Sequence, residues 1–174
     1  MGPTTDKTWR IVPVVGKLLL AAACAVVVAS IAFPGEHGWS RIAPNEVSAT
    51  KTIRKLNEAE ERYASRYGIG FTDTLGKLGP PSSGQPSREH AGLVKVDLAG
   101  NGSDGPATFS RNGYVFRYTP GTETTGRPGE VRSYAINADP ISRGSSGQRS
   151  FYSDQSGVIR ANAIVPASAS DAPI

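Results

Sequence analysis

The chain has 174 residues, 38% of them hydrophobic, 20% charged and 7% aromatic, with 20 Gly, 13 Pro, one Cys and two His. That length fits one domain with an appendage, and a Gly plus Pro share of about 19%, against a usual ~12%, argues against a compact helical bundle. A lone cysteine excludes an internal disulfide framework, and His37 and His90 leave too little material for a Cys/His zinc site or histidine-based catalysis.

The net charge of +4 is spread thinly. Residues 1–33 hold Lys7, Arg10 and Lys17 against Asp6, and the remaining 141 residues add only +2. Lys and Arg are spread thinly from Arg41 to Arg160, commonly with an acid nearby. Phosphate binding calls for a concentrated basic stripe, so this distribution disfavours nucleic acid as a partner.

Residues 18–33 carry no charge over sixteen positions, with Leu18, Leu19, Leu20, Val26, Val27, Val28, Ile31 and Phe33 as the bulkiest side chains. As a helix they span about 24 Å; starting from residue 11, interrupted only by Lys17, the run reaches about 35 Å, which brackets a ~30 Å hydrocarbon core. Three readings stand. The first is a retained single span, with the basic flank 1–17 cytoplasmic and everything after Pro34 outside. The second is a secretory signal, Ser30-Ile31-Ala32 forming the small-x-small site with cleavage between Ala32 and Phe33. The third is lipidation at Cys24, weakened by Ala21-Ala22-Ala23 before it and the apolar run after it. All three put residues 34–174 outside the cytoplasm.

Residues 46–67 contain neither Gly nor Pro, and Ala49, Ile53, Leu56, Tyr63 and Tyr67 recur at helical spacing. The pattern predicts a helix over 45–67 with Asn45 as N-cap, Glu46 complementing the dipole and Gly68 in the left-handed position after the last turn. Glu60 interrupts the apolar seam between Leu56 and Tyr63, which argues against a coiled coil. The stripe therefore needs a small sheet to cover it.

Residues 68–112 read as loop-rich, with a short helix or strand around 87–98 left open. Alternation of Tyr114, Phe116 and Tyr118 up to Pro120 predicts a strand. Residues 131–138, with Tyr134 and Ile136 inward, predict a second. Residues 149–153 and 157–163 predict a hairpin around Asp154-Gln155-Ser156-Gly157. The sheet is thus expected over 113–163, with a frayed tail at 164–174. The fold class is α+β: a hydrophobic segment running into an amphipathic helix packed on a small antiparallel sheet.

No P-loop, GxSxG, HExxH or CxxC pattern is present. Asp139 and Asp154 flank a loop and are weak candidates for calcium, an ion that wants six to eight oxygens; turn capping explains them equally well. No catalytic residue, resident metal or cofactor is expected, and the chain reads as non-enzymatic.

Ser40-Arg41-Ile42-Ala43-Pro44-Asn45-Glu46-Val47-Ser48-Ala49, continued by Lys55-Leu56-Asn57-Glu58-Ala59-Glu60 and Tyr63-Ala64-Ser65-Arg66-Tyr67-Gly68, resembles the helix of type IV pilins and type II secretion pseudopilins. Gly113-Tyr114-Val115-Phe116-Arg117-Tyr118, Tyr134-Ala135-Ile136-Asn137-Ala138-Asp139-Pro140 and Phe151-Tyr152-Ser153-Asp154-Gln155-Ser156-Gly157-Val158-Ile159-Arg160 are similar to the sheet of one pilin-like group. The likeness covers about 41–70 and 113–162, under half of the chain. The front departs from the pilin precursor pattern: Gly16 is followed by Lys17-Leu18-Leu19-Leu20, without the aromatic residue and the nearby Glu of that motif. The resemblance implies a pilin-like domain on an altered inner-membrane anchor, with the lipid bilayer and other pilin-like subunits or secretion machinery as partners. The alternative is an exported periplasmic binding module released after Ala32.

Overall fold

In the computed structural model the chain divides into two units, Met1–His37 and Gly38–Ile174. The structure describes residues 39–98, 107–121 and 130–174, all of them in the second unit. A long helix α1 (Trp39–Tyr67) packs on one face of a five-stranded antiparallel sheet. The strands are β1 (Thr108–Arg111), β2 (Tyr114–Pro120), β3 (Tyr134–Pro140), β4 (Ser150–Asp154) and β5 (Arg160–Asn162), and they pair in chain order. Short 3-10 turns at Leu75–Leu78 and Val96–Leu98 lie between the helix and β1.

The helical stripe covers the sheet, as its spacing predicts. Ala49, Ile53, Leu56, Ala59 and Tyr63 are buried, and they meet Tyr114, Phe116 and Tyr118 of β2, Tyr134, Ile136 and Ala138 of β3, and Phe151 of β4 in one core. Period-two alternation sends these strand residues to a single face, and the register pairs Phe116 with Ala138, Tyr118 with Ile136, and Ala138 with Phe151. Aromatic rings bridge the strands: Tyr118–Tyr134 centroids lie 5.7 Å apart and Tyr114–Phe151 5.8 Å. Gly68, at φ +64°, ends the helix in the left-handed position.

The boundaries differ from the sequence reading in four places. Helix α1 does not start at Asn45. It is already helical at Trp39 and runs through Pro44, whose missing N–H leaves one carbonyl without its intrahelical donor. Asn45 is therefore no N-cap; its side-chain amide donates to the Ser146 carbonyl at 2.8 Å. The sheet begins earlier than 113. β1 joins β2 through the two-residue turn Asn112-Gly113, with Arg111 opposite Tyr114 and φ of +45° and +76°, the geometry that Asn-Gly favours. The segment 87–98 is neither helix nor a paired strand: Ala91 and Leu93 N–H donate to the carbonyls of Lys77 and Leu78, and only Val96–Leu98 makes a 3-10 turn.

The tail is not frayed. Ile174 N–H donates to Ile159 and Ala161 N–H to Ala172, so the tail adds a rung beyond β5. Asp171 accepts from Asn162 and Ser168, Asn137 donates to the Ala167 carbonyl, and Ala167 is buried. Local side-chain-to-backbone bonds and one small apolar contact order a segment whose composition alone reads as loose.

Gly147 shows how tightly the β3–β4 loop is seated: a Cβ there would fall inside the ring and hydroxyl of Tyr114. Tyr114 is itself buried and bonded to the Arg149 carbonyl, so it has nowhere to move. Gly147→Ala is expected to destabilise the domain by about 1–3 kcal/mol. Urea unfolding checks this: the midpoint should fall, whereas an unchanged midpoint would show that the loop yields freely.

Candidate functional site

Leu18, Leu19, Leu20, Val26, Val27, Val28, Ile31, Ala32 and Phe33 lie outside the described residues. Among the described residues no helix is long and apolar enough to cross a membrane. The two aspartates that flank the β3–β4 region are not brought together. Asp139 pairs opposite Val115 and Asp154 opposite Ala135, four residues back along β3. Four strand residues are about 13 Å, against calcium–oxygen distances of ~2.3–2.6 Å, so the pair cannot ligate one ion. Asp154 caps its turn instead, accepting from the Ser156 amide at 2.9 Å and the Tyr152 hydroxyl at 3.3 Å. Burial would raise its carboxyl, but the Ser156 hydroxyl and amide bonds hold it below the usual range. Among the described residues no group of three or more His, Cys, Asp or Glu is arranged to hold a metal.

The polar chemistry concentrates where α1 meets the loops. Glu46 is buried and fully engaged: Oε1 accepts from the amides of Gln148 and Arg149 at 3.0 and 2.9 Å, and Oε2 from Arg149 Nε at 2.9 Å. Burial raises this carboxyl, yet donation from Arg149 and Gln148 outweighs burial and holds it below its ordinary value. The Arg149 guanidinium also sits 5.4 Å from the centre of the Phe151 ring. Glu46 thus fastens the β3–β4 loop to the helix, a role quite different from complementing a helix dipole.

Glu60 has no exposed surface. Its carboxyl accepts from the Thr72 amide at 2.9 Å and the Thr72 hydroxyl at 2.5 Å, while the Tyr118 hydroxyl donates to the Thr72 carbonyl at 2.6 Å. Burial pushes Glu60 up to about 7, against the pull of the Thr72 and Tyr118 hydrogen bonds. Burial and the neighbouring Glu60 charge also raise Tyr118 and Tyr134. Glu60 is enclosed, and its hydrogen bonds to Thr72 pin the chain after α1 onto the core.

Asn57 completes the seam. Its amide donates to Ser153 Oγ at 2.8 Å and its carbonyl accepts from the Tyr134 hydroxyl at 3.1 Å. Above it lies an open groove of about 350 Å³, lined by Arg54, Asn57, Glu58, Glu61, Phe71 and Tyr134 and by the β4–β5 turn 155–157. The structure therefore joins the exposed helix face and the hairpin near Asp154 into one concave surface. Glu46 and Glu60 carry no signal that sequence reasoning uses for a binding site; each shows only as an acid at a helical position facing inward.

No protein-family model, curated protein or solved structure matches the chain. The arrangement of a long helix on a five-stranded antiparallel sheet is consistent with a pilin-like fold.

Glu60 makes the stability of the domain pH-dependent with an unusual sign for a carboxylate. Its folded value lies above the unfolded one, so its favourable contribution is complete below about pH 4.5 and is lost as pH rises through about 7. The shift corresponds to about 3 kcal/mol. Glu60→Gln, which keeps the size and can still pair with Thr72, should remove that loss. Urea unfolding at pH 5 and pH 8 should show the variant less pH-sensitive than the parent chain; parallel losses in both would exclude Glu60 as the source.

Proposed function

We propose that the chain is a non-enzymatic, pilin-like structural or accessory subunit of a type IV pilus or type II secretion machine. Residues 18–33 anchor it in the inner membrane, with the N-terminus cytoplasmic and the domain from residue 34 outside. The observation that carries this reading is a combination. A long helix has one face committed to an antiparallel sheet, and sixteen uncharged residues stand six positions ahead of it in the sequence. Apolar helices of neighbouring subunits would pack side by side, first among lipid tails and then in a filament core, where dispersion contacts and exclusion of water hold them.

Under this reading the domain is cargo on the anchor, displayed by α1. The second reading, a soluble periplasmic binding module released after Ala32, draws support from the self-contained core of the second unit.

Mass measurement and cross-linking separate the two. The anchored subunit keeps residues 18–33 and needs detergent for extraction; loss of 32 residues with recovery in buffer alone overturns the proposal. Cys24 is the only cysteine, which permits a scan over one helical turn. Single cysteines at 24, 25, 26 and 27, the last three on a Cys24→Ser background, should include at least one that forms a disulfide-linked dimer in membranes under mild oxidation. Four monomeric results would exclude lateral packing of the segment.

A further inference from the structure

Residues 69–74, the strap that leaves helix α1, belong to no strand. At the near end Gly68 and Gly70, at φ +64° and +80°, give the strap a pivot. At the far end Leu75 and Leu78 are sunk in the core. Among the described residues the one backbone it pairs with, beyond its own turn, is that of Val131, through isolated bridges from Gly70 and Phe71. Its other fastening is Thr72, buried against Glu60 and Tyr118. The pairings of β2, β3 and β4 do not involve it.

The hydrogen bonds at Thr72 close into a circuit when the Glu60 carboxyl carries a proton. The Thr72 amide donates to Oε2 at 2.9 Å. A proton on Oε1 donates to Thr72 Oγ1 across 2.5 Å. The Thr72 hydroxyl is then free to donate to the Tyr118 hydroxyl at 3.4 Å, which donates to the Thr72 carbonyl at 2.6 Å. Without that proton the Thr72 hydroxyl must turn to the carboxylate, and a buried negative charge is left with no base beside it. Tyr63 of its own helix, Asp73 of the strap, Tyr118 of β2 and Tyr134 of β3 surround it. It joins none of the ion pairs among the described residues, and Lys77 is taken up by Asp73 and Glu89. A carboxylate so placed gains more from water than from its two donors, and water reaches it when the strap lifts.

We infer that residues 69–74 form a latch worked by the proton on Glu60: closed while the carboxyl is neutral, and released once it is charged, with the helix and the sheet still in place. Release carries Phe71 away from Tyr134, against which it now lies edge-on at 4.9 Å. It thereby removes one wall of the groove that Asn57 and the β4–β5 turn also line. The groove is whole on the acid side of neutrality and open on the alkaline side. The latch belongs to the folded domain and works whether residues 18–33 are retained or cleaved.

The test is hydrogen–deuterium exchange of the full chain in an uncharged detergent, between about pH 5 and about pH 8, corrected for intrinsic amide chemistry. The closed carboxyl holds its proton up to about 7 and the released one only to 4.5, so the Thr72 amide should lose about a hundredfold of its protection, most of it below about pH 7. At every pH the amides of Phe71 and Thr72 should also exchange ahead of those in β2, β3 and β4. Glu60→Gln copies the neutral acid, because its amide group can donate to Thr72 Oγ1 while its oxygen accepts from the Thr72 amide. In that variant the strap should stay protected over the whole range. The parent chain alone decides whether the strap opens by itself. Unchanged protection of Thr72, exchange in step with the strands, or the same pH response in Glu60→Gln would each overturn the inference.

Discussion

Helix α1 can lie on the sheet only because the acid at the centre of its apolar stripe, Glu60, is matched. Ile53, Leu56 and Tyr63 press against an aromatic layer made by β2, β3 and β4, and Glu60 enters that layer beside them. A buried carboxyl without partners would cost several kcal/mol. Thr72 supplies both an amide and a hydroxyl, and Tyr118 in turn holds Thr72 by its carbonyl. The chain leaving the helix is thereby fixed, and with it the bridge from Phe71 N–H to the Val131 carbonyl. The same helix holds the other end of the sheet through Glu46 and Asn45, and the β4–β5 turn through Asn57. Elements far apart in sequence are organised by polar side chains of one helix.

This explains how much of the fold was legible beforehand. The apolar periodicity of 49–67 and the alternation in 114–120 and 134–138 depend only on which face is buried, and both faces appear where the pattern puts them. The meander follows from each strand pairing with the next one along the chain. What escaped was polar. Glu60 read as a break in an apolar seam, because nothing local announces a threonine twelve residues on that will satisfy it. Asn45 and Glu46 read as a helix start because capping residues and acids are common there; their actual partners stand about a hundred residues away. β1 was within reach, since Asn112-Gly113 is a strong hairpin signal, but the Gly- and Asn-rich stretch before it masked four residues of strand.

The candidate site was legible to a smaller degree. The helix and the hairpin after β4 were both recognisable as elements, and the structure sets them side by side around Phe71 and Tyr134. Their closeness is a tertiary fact, created by Asn57 bridging to Ser153 and Gly157. Charge was hidden in the opposite sense. A linear reading sees bases separated by three to six residues, whereas a helix sorts them by angle: Lys51, Lys55, Arg62 and Arg66 share one arc, with Glu58 and Glu61 lining grooves beside them. Net charge measures solubility and long-range attraction; the angular arrangement decides what shape of partner is met.

The pairing of the tail with β5 has a consequence for handling the protein. Residues 172–174 occupy hydrogen-bonding positions along the outer margin of β5, where an open strand would otherwise invite another chain. Trimming those few residues by a protease, or displacing them with a fused affinity sequence, would uncover that margin next to the exposed Ile164 and Val165. Preparations altered in this way would be prone to self-association through strand exchange, and an oligomer seen in them would report the damage rather than the native assembly.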